Sequence, residues 1–74
     1  MGMYKLTDSK YKMIAEYIES TDTPERMAKI AKRLMQMLKA GEISWVEYEG
    51  LLTYRRINEI NHGYGAQVIR LMNA

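Results

Sequence analysis

The fold is decided by residues 23–47, which read TPERMAKIAKRLMQMLKAGEISWVE. Thr23 can cap a helix, and a proline at the first helical position gives up an amide that had no partner. At about 100° per residue, the side chains that follow separate into an uninterrupted apolar arc and a charged arc. Gly41 then favours the left-handed conformation that ends a helix. The pattern predicts a helix over residues 24–40, with an apolar arc wide enough to contact two neighbouring elements.

A second helix start follows directly after this segment. Ser44 and Glu47 have the spacing of a capping box, in which each side chain satisfies a backbone amide of the other residue. We therefore expect a third helix over residues 45–61. A heptad series runs along it and predicts the face that is buried in the core; the residues of this series are Val46, Gly50, Thr53, Ile57 and Ile60.

The segments on either side complete an all-α architecture. Residues 7–9, a Thr-Asp-Ser cluster, precede apolar residues at helical spacing and predict a first helix over residues 7–19. Residues 66–72 are short and mixed, which favours a C-terminal helix but also allows an extended arm paired with residues 3–6. We expect one small domain of three main helices, with the second helix at its centre.

Length and composition limit the class of protein. Seventy-four residues suffice for one small domain, and 47% hydrophobic with 27% charged residues is typical of a folded chain. The chain has no cysteine, which excludes disulfides and thiolate zinc sites and fits a cytoplasmic location. No apolar run approaches the ~20 residues that span a bilayer, so we expect no membrane partner.

Catalytic chemistry is missing from the sequence. His62 is the single histidine, and no second ligand at a suitable spacing offers a metal site. Glu47 and Glu49 are two residues apart and point about 200° away from each other on a helix, so they cannot cooperate as acid and base. The chain also has no phosphate-binding glycine loop and no nucleophile motif. We therefore expect a protein that is not an enzyme and that needs no cofactor or metal.

The third helix carries more apolar surface than one contact can cover. Tryptophan and tyrosine often anchor interfaces, and methionine suits adaptable contacts. We therefore predict a regulatory or accessory protein that binds another protein, or a second copy of itself, through an aromatic face of the third helix. The residues of this predicted aromatic face are Trp45, Tyr48, Leu51, Leu52 and Tyr54.

The alternative is a small DNA-binding regulator. The second helix has a basic face that could contact phosphates, and two arginines of the third helix add to its charge. The residues of this alternative site are Arg26, Lys29, Lys32, Arg33, Lys39, Arg55 and Arg56. A net charge of only +2 does not favour it. Glu47 and Glu49 do not favour it either. They lie in the first turns of the helix that would enter the major groove, and phosphates repel their carboxylates.

Residues 38–49, LKAGEISWVEYE, resemble the short helical hairpin of the SHOCT module. The resemblance lies in a leucine helix, a glycine, an isoleucine, a capping serine and an acidic–aromatic pair in the same order. The chain departs from the module at Leu51 and Leu52, where the module has a basic residue. The resemblance implies an interaction or oligomerisation hairpin and no catalytic activity.

Overall fold

A computed structural model describes residues 4–74, and this part of the chain forms four α-helices and no strand. The predicted all-α fold is confirmed, and each of the three main helices begins and ends within one residue of its prediction. The helices are α1 (Asp8–Glu19), α2 (Pro24–Lys39), α3 (Trp45–His62) and α4 (Gly65–Met72).

Local signals in the sequence account for the helix ends. The side chains of Thr7, Thr23 and Ser44 each accept a backbone amide hydrogen bond of 3.2 Å at the start of a helix. The Glu47 carboxylate accepts the Ser44 amide at 2.7 Å, which completes the predicted capping box. Gly41 has a φ of 75°, the left-handed conformation expected after α2. The boundaries of α2 and α3 therefore follow from contacts within a few residues.

The C-terminal segment is a helix. Gly63, at a φ of 70°, ends α3, and α4 begins two residues later. Val68 is fully buried, and α4 packs along α2. The alternative of an extended arm is wrong, because residues 66–72 lie within α4. Met3, one end of the segment that this arm would have paired with, lies outside the described residues.

The helix at the centre is α3. It packs against α1, α2 and α4, whereas α2 packs mainly against α4 and α3. The prediction that α2 contacts two neighbours is confirmed, and the prediction that α2 is central is wrong. With 18 residues, α3 is long enough to meet α1 on one side and the α2–α4 pair on another. The buried hydrophobic cluster between the helices is Ala15, Ile18, Met27, Ala28, Ile30, Leu34, Leu51, Tyr64 and Val68.

The heptad series of α3 does not face the core. Val46, Ile57 and Ile60 are 44%, 53% and 77% exposed, so the predicted core face is wrong. The buried face carries Leu51 together with three polar residues, Glu47, Asn58 and Glu59. Polar side chains can be buried when their hydrogen bonds are satisfied. Partners distant in the sequence satisfy Glu47 and Asn58, and this reverses the face that hydrophobicity alone predicts.

Candidate interaction surfaces

The predicted aromatic face of α3 is divided between core and surface. Trp45 is 61% exposed and stacks on Tyr48, with ring centroids 5.6 Å apart. Leu51 is fully buried, so its assignment to an interface is wrong. Its side chain points between α3 and its neighbours because it shares a helix face with Glu47 and Asn58. The remaining members of the face, Tyr48, Leu52 and Tyr54, are half-buried.

The exposed apolar surface of α3 lies elsewhere. Val46, Thr53, Ile57 and Ile60 follow one another at intervals of seven, four and three residues and form what we call the outer stripe. Glu49 and Arg56, both exposed, lie along one edge of the stripe. The hydroxyl of Thr53 donates to the carbonyl of Glu49 at 3.1 Å, which satisfies the one polar group within the stripe. The heptad pattern was visible in the sequence and was assigned to the wrong surface.

A hollow of about 440 Å³ adjoins the N-terminal end of the outer stripe. It lies between the segment before α1, α1 itself and α3. Tyr11 stands over Gly50 so closely that a Cβ at Gly50 would collide with the phenol oxygen. The glycine therefore permits α1 to approach α3 at this point. The hollow is lined by Tyr4, Leu6, Asp8, Tyr11, Val46, Glu47 and Gly50.

Glu47 ties the N-terminal segment to the start of α3. Besides the Ser44 amide, its carboxylate accepts the backbone amides of Lys5, at 3.0 Å to each oxygen, and of Leu6, at 2.6 Å. Burial alone raises the pKa of Glu47, but the hydrogen bonds from Ser44, Lys5 and Leu6 outweigh it and lower the pKa to about 2. The sequence predicted the cap and missed the link to the N-terminal segment. Both carboxylate oxygens of Glu47 are engaged in hydrogen bonds to the backbone.

Asn58 organises a second buried polar cluster. Its amide nitrogen donates to the carbonyls of Ile18 at 3.2 Å, Glu19 at 3.3 Å and Thr21 at 2.8 Å, where α1 ends. Its side-chain oxygen accepts the Tyr64 hydroxyl at 2.5 Å. Burial raises the pKa of Tyr64, which keeps this hydroxyl protonated as a donor. Asn58 thus joins the end of α1 to α3 and to the turn before α4, a structural role.

His62 lies at the end of α3. Its ring stacks on Tyr64, with centroids 5.0 Å apart, and its Nδ1 lies 3.0 Å from the carbonyl oxygen of Asn58. Across residues 4–74, no group of three or more histidine, aspartate or glutamate side chains is placed to hold a metal ion. Within that range, every buried side-chain nitrogen or oxygen has a hydrogen-bond partner. We therefore find no unsatisfied buried group that points to a substrate.

The basic residues do not form one surface. The five basic side chains predicted on the second helix are all exposed on α2, as is Arg56 on α3. Arg55 is instead half-buried, with its Nε 2.5 Å from a carboxylate oxygen of Glu59. Because its guanidinium is held by this neighbour one turn away, Arg55 is less available to phosphates than the exposed basic residues, and its place in a phosphate-binding surface stays a prediction.

Two of the basic residues of α2 line an apolar groove. Lys29 and Arg33 stand at a hollow of about 290 Å³ between α1 and α2. Almost all of the rest of the lining is apolar, which is not typical of a surface that follows a phosphate backbone. The other residues of the groove are Ile14, Tyr17, Ile30, Leu34 and Met37.

Comparisons with protein-family models, with curated proteins and with solved structures found no match for this chain. In the part of the chain that the structure describes, no helix is both long enough and apolar enough to cross a membrane.

Proposed function

We propose that this chain is a non-enzymatic, cytoplasmic accessory protein that acts by binding protein through the outer stripe of α3. The observation that carries the proposal is the exposure of Val46, Ile57 and Ile60 at heptad spacing. Heptad spacing is the pattern by which one helix packs against another. Here the chain's own core leaves that face uncovered, and exposed apolar stripes of this kind mark interaction sites.

The outer stripe takes the place of the aromatic face as the proposed contact. Leu51 is unavailable because it lies in the core. Tyr48 and Tyr54 pack against the core, and Leu52 is half-buried. Trp45 is the one member of that face that remains largely exposed. The proposed contact therefore moves by roughly 150° around α3, while the type of function stays the same.

The absence of catalysis is part of the proposal. Glu47, Asn58 and Glu59 are the buried polar residues of α3 that could suggest an active site. Glu47 and Asn58 are engaged by backbone groups at 2.6–3.3 Å, and Glu59 is paired with Arg55. A catalytic acid or base needs an atom free to reach the substrate. Their hydrogen bonds support a role in building the fold.

A photo-crosslinking amino acid placed at Ile57 tests the proposed contact. In cells, we expect this variant to give one or a few discrete protein adducts, and we expect Ile60→Lys to abolish them because a charge then lies in the stripe. Gln36 on the outside of α2 is the matched exposed control position. Trp45→Ala should leave the adducts in place. Equal, diffuse labelling from positions 57 and 36 would contradict the proposal.

DNA binding through α2 is the second candidate function. The observation in its favour is that, among the described residues, none of the five basic side chains of α2 forms an ion pair. Charge that no carboxylate neutralises is available to phosphates. The candidate ranks second because Arg55 is paired with Glu59 and because two of the five basic residues border an apolar groove.

A further inference from the structure

We propose that the partner of the outer stripe is a second copy of this chain, with the two α3 helices antiparallel and related by a two-fold axis through Thr53. This inference rests on the proposed function and names its partner.

The spacing of the stripe matches an antiparallel helix pair. In that arrangement, residues whose numbers add to about 106 lie opposite each other. Val46 then meets the partner's Ile60, Ile60 meets the partner's Val46, and Thr53 meets the partner's Thr53. A closed two-fold arrangement of this kind uses one patch twice and leaves no open end. Val46, Thr53 and Ile60 are therefore complementary to themselves in this register, whereas Ile57 lies at the height of the partner's Glu49.

This register also covers the most exposed apolar side chain of the stripe. Ile60 is 77% exposed and is the most exposed large hydrophobic side chain among the described residues. In the antiparallel pair, it meets the partner's Val46, which borders the 440 Å³ hollow. Pairing of the two helices therefore removes Ile60 from water.

The charges at the edge of the stripe decide the direction. Glu49 and Arg56 lie on the same edge, and antiparallel pairing brings each close to its opposite on the partner, forming two ion pairs by symmetry. Parallel pairing would instead place these two residues beside the partner's Tyr54 and Asn61. Complementary charge favours one register and one orientation more than it adds affinity. The antiparallel arrangement is therefore preferred.

The centre of the pair is compatible with close contact. Thr53 lies at the two-fold axis, and its hydroxyl already donates to the Glu49 carbonyl. Two such residues can meet through their methyl groups without leaving a donor unsatisfied. The contact is small beside the ~1,200–2,000 Å² of a standard interface, so we expect a dissociation constant of about 10–100 µM.

Cysteine crosslinking tests the pairing on the full chain, which has no cysteine of its own. At about 100 µM protein, oxidised Thr53→Cys should form a disulfide-linked dimer, and Gln36→Cys on α2 should not. A size-tagged Val46→Cys chain mixed with an Ile60→Cys chain should form the mixed dimer in preference to either homodimer, because only antiparallel helices bring these positions together. Preferred homodimers would overturn the antiparallel register.

Charge reversal provides an independent test. Glu49→Arg and Arg56→Glu each place like charges opposite each other and should raise the dimer dissociation constant about five- to tenfold. The double variant restores opposite charges and should return within about twofold of the wild type, as measured by sedimentation. Far-ultraviolet circular dichroism checks that each variant keeps its helices. If the double variant dimerises no more tightly than the weaker-binding single variant, the pairing of Glu49 with Arg56 is wrong.

The outcome also separates this inference from the proposed function. A chain that stays monomeric at about 500 µM and does not crosslink at Thr53 would show that no self-pairing occurs. If the photo-crosslinker at Ile57 still captures one different protein, the outer stripe remains an interaction site with another partner. If both experiments fail, the proposed function fails as well.

Discussion

Removing the charge of Glu47 should uncouple the N-terminal segment from α3 and change how stability depends on pH. The carboxylate is 1% exposed and accepts backbone amides from Lys5, Leu6 and Ser44. Glu47→Gln keeps the shape of the side chain, but its amide nitrogen cannot accept a hydrogen bond. At least one of these amides then loses its partner.

The magnitude follows from the pKa of Glu47. Hydrogen bonding in the folded chain lowers this pKa from 4.5 to about 2. Because the folded pKa is the lower one, the ionised group stabilises the fold above pH 4.5, and this contribution is lost as the pH falls from about 4.5 to about 2. At ~1.4 kcal/mol per pH unit, the full contribution is about 3 kcal/mol. Solvent near the exposed Lys5 screens the charge of Glu47, so we expect its contribution to the free energy of unfolding to be about 1.5–2 kcal/mol.

Urea unfolding at low micromolar protein, at pH 7 and at pH 3, measures this contribution. Between the two pH values, the wild type should lose about 1 kcal/mol more stability than Glu47→Gln, since the variant has no group to protonate at this position. Glu16→Gln, at an exposed glutamate of α1, is the control and should behave like the wild type. If the wild type and Glu47→Gln lose the same stability on acidification, the reasoning about this carboxylate is wrong.

Three further outcomes are expected. Ser44→Ala should lower the free energy of unfolding by about 1 kcal/mol through the lost cap, visible as a lower urea midpoint, and an unchanged midpoint would contradict the cap. Asn58→Ala should cost about 2–3 kcal/mol in the same assay, because the Tyr64 hydroxyl and the carbonyls at the end of α1 lose their partner inside the protein. Replacing Lys29, Lys32 and Arg33 by glutamine should leave stability within about 0.5 kcal/mol of the wild type. If α2 binds DNA, the triple variant should weaken binding and reduce the slope of log affinity against log salt by up to about 2–3, whereas an unchanged slope would exclude this face.

The outer stripe shows where hydrophobic periodicity misleads. Two faces of α3 have helical spacing: one carries Val46, Ile57 and Ile60, and the other carries Leu51 with Glu47 and Asn58. Hydrophobicity favours the first face for the core. The structure buries the second, because a polar side chain with enough hydrogen bonds packs inside at little cost. The candidate site was therefore present in the sequence as a pattern but was assigned to the wrong side of the helix.

The sequence by itself determined the three main helices and their ends. Each end depends on residues within a few positions of one another, such as Ser44 with Glu47, or Gly41 after α2. Interactions of this range can be read without knowing how the chain folds.

The tertiary structure alone decided which side of α3 is covered. Two backbone partners of Glu47, Lys5 and Leu6, lie 42 and 41 residues away in the sequence, and those of Asn58 at the end of α1 lie 37 to 40 residues away. No local sequence pattern predicts hydrogen bonds between residues so far apart in the sequence, because the donors and acceptors become neighbours only when the helices pack. These bonds turn the polar side of α3 inward and leave Val46, Ile57 and Ile60 at the surface.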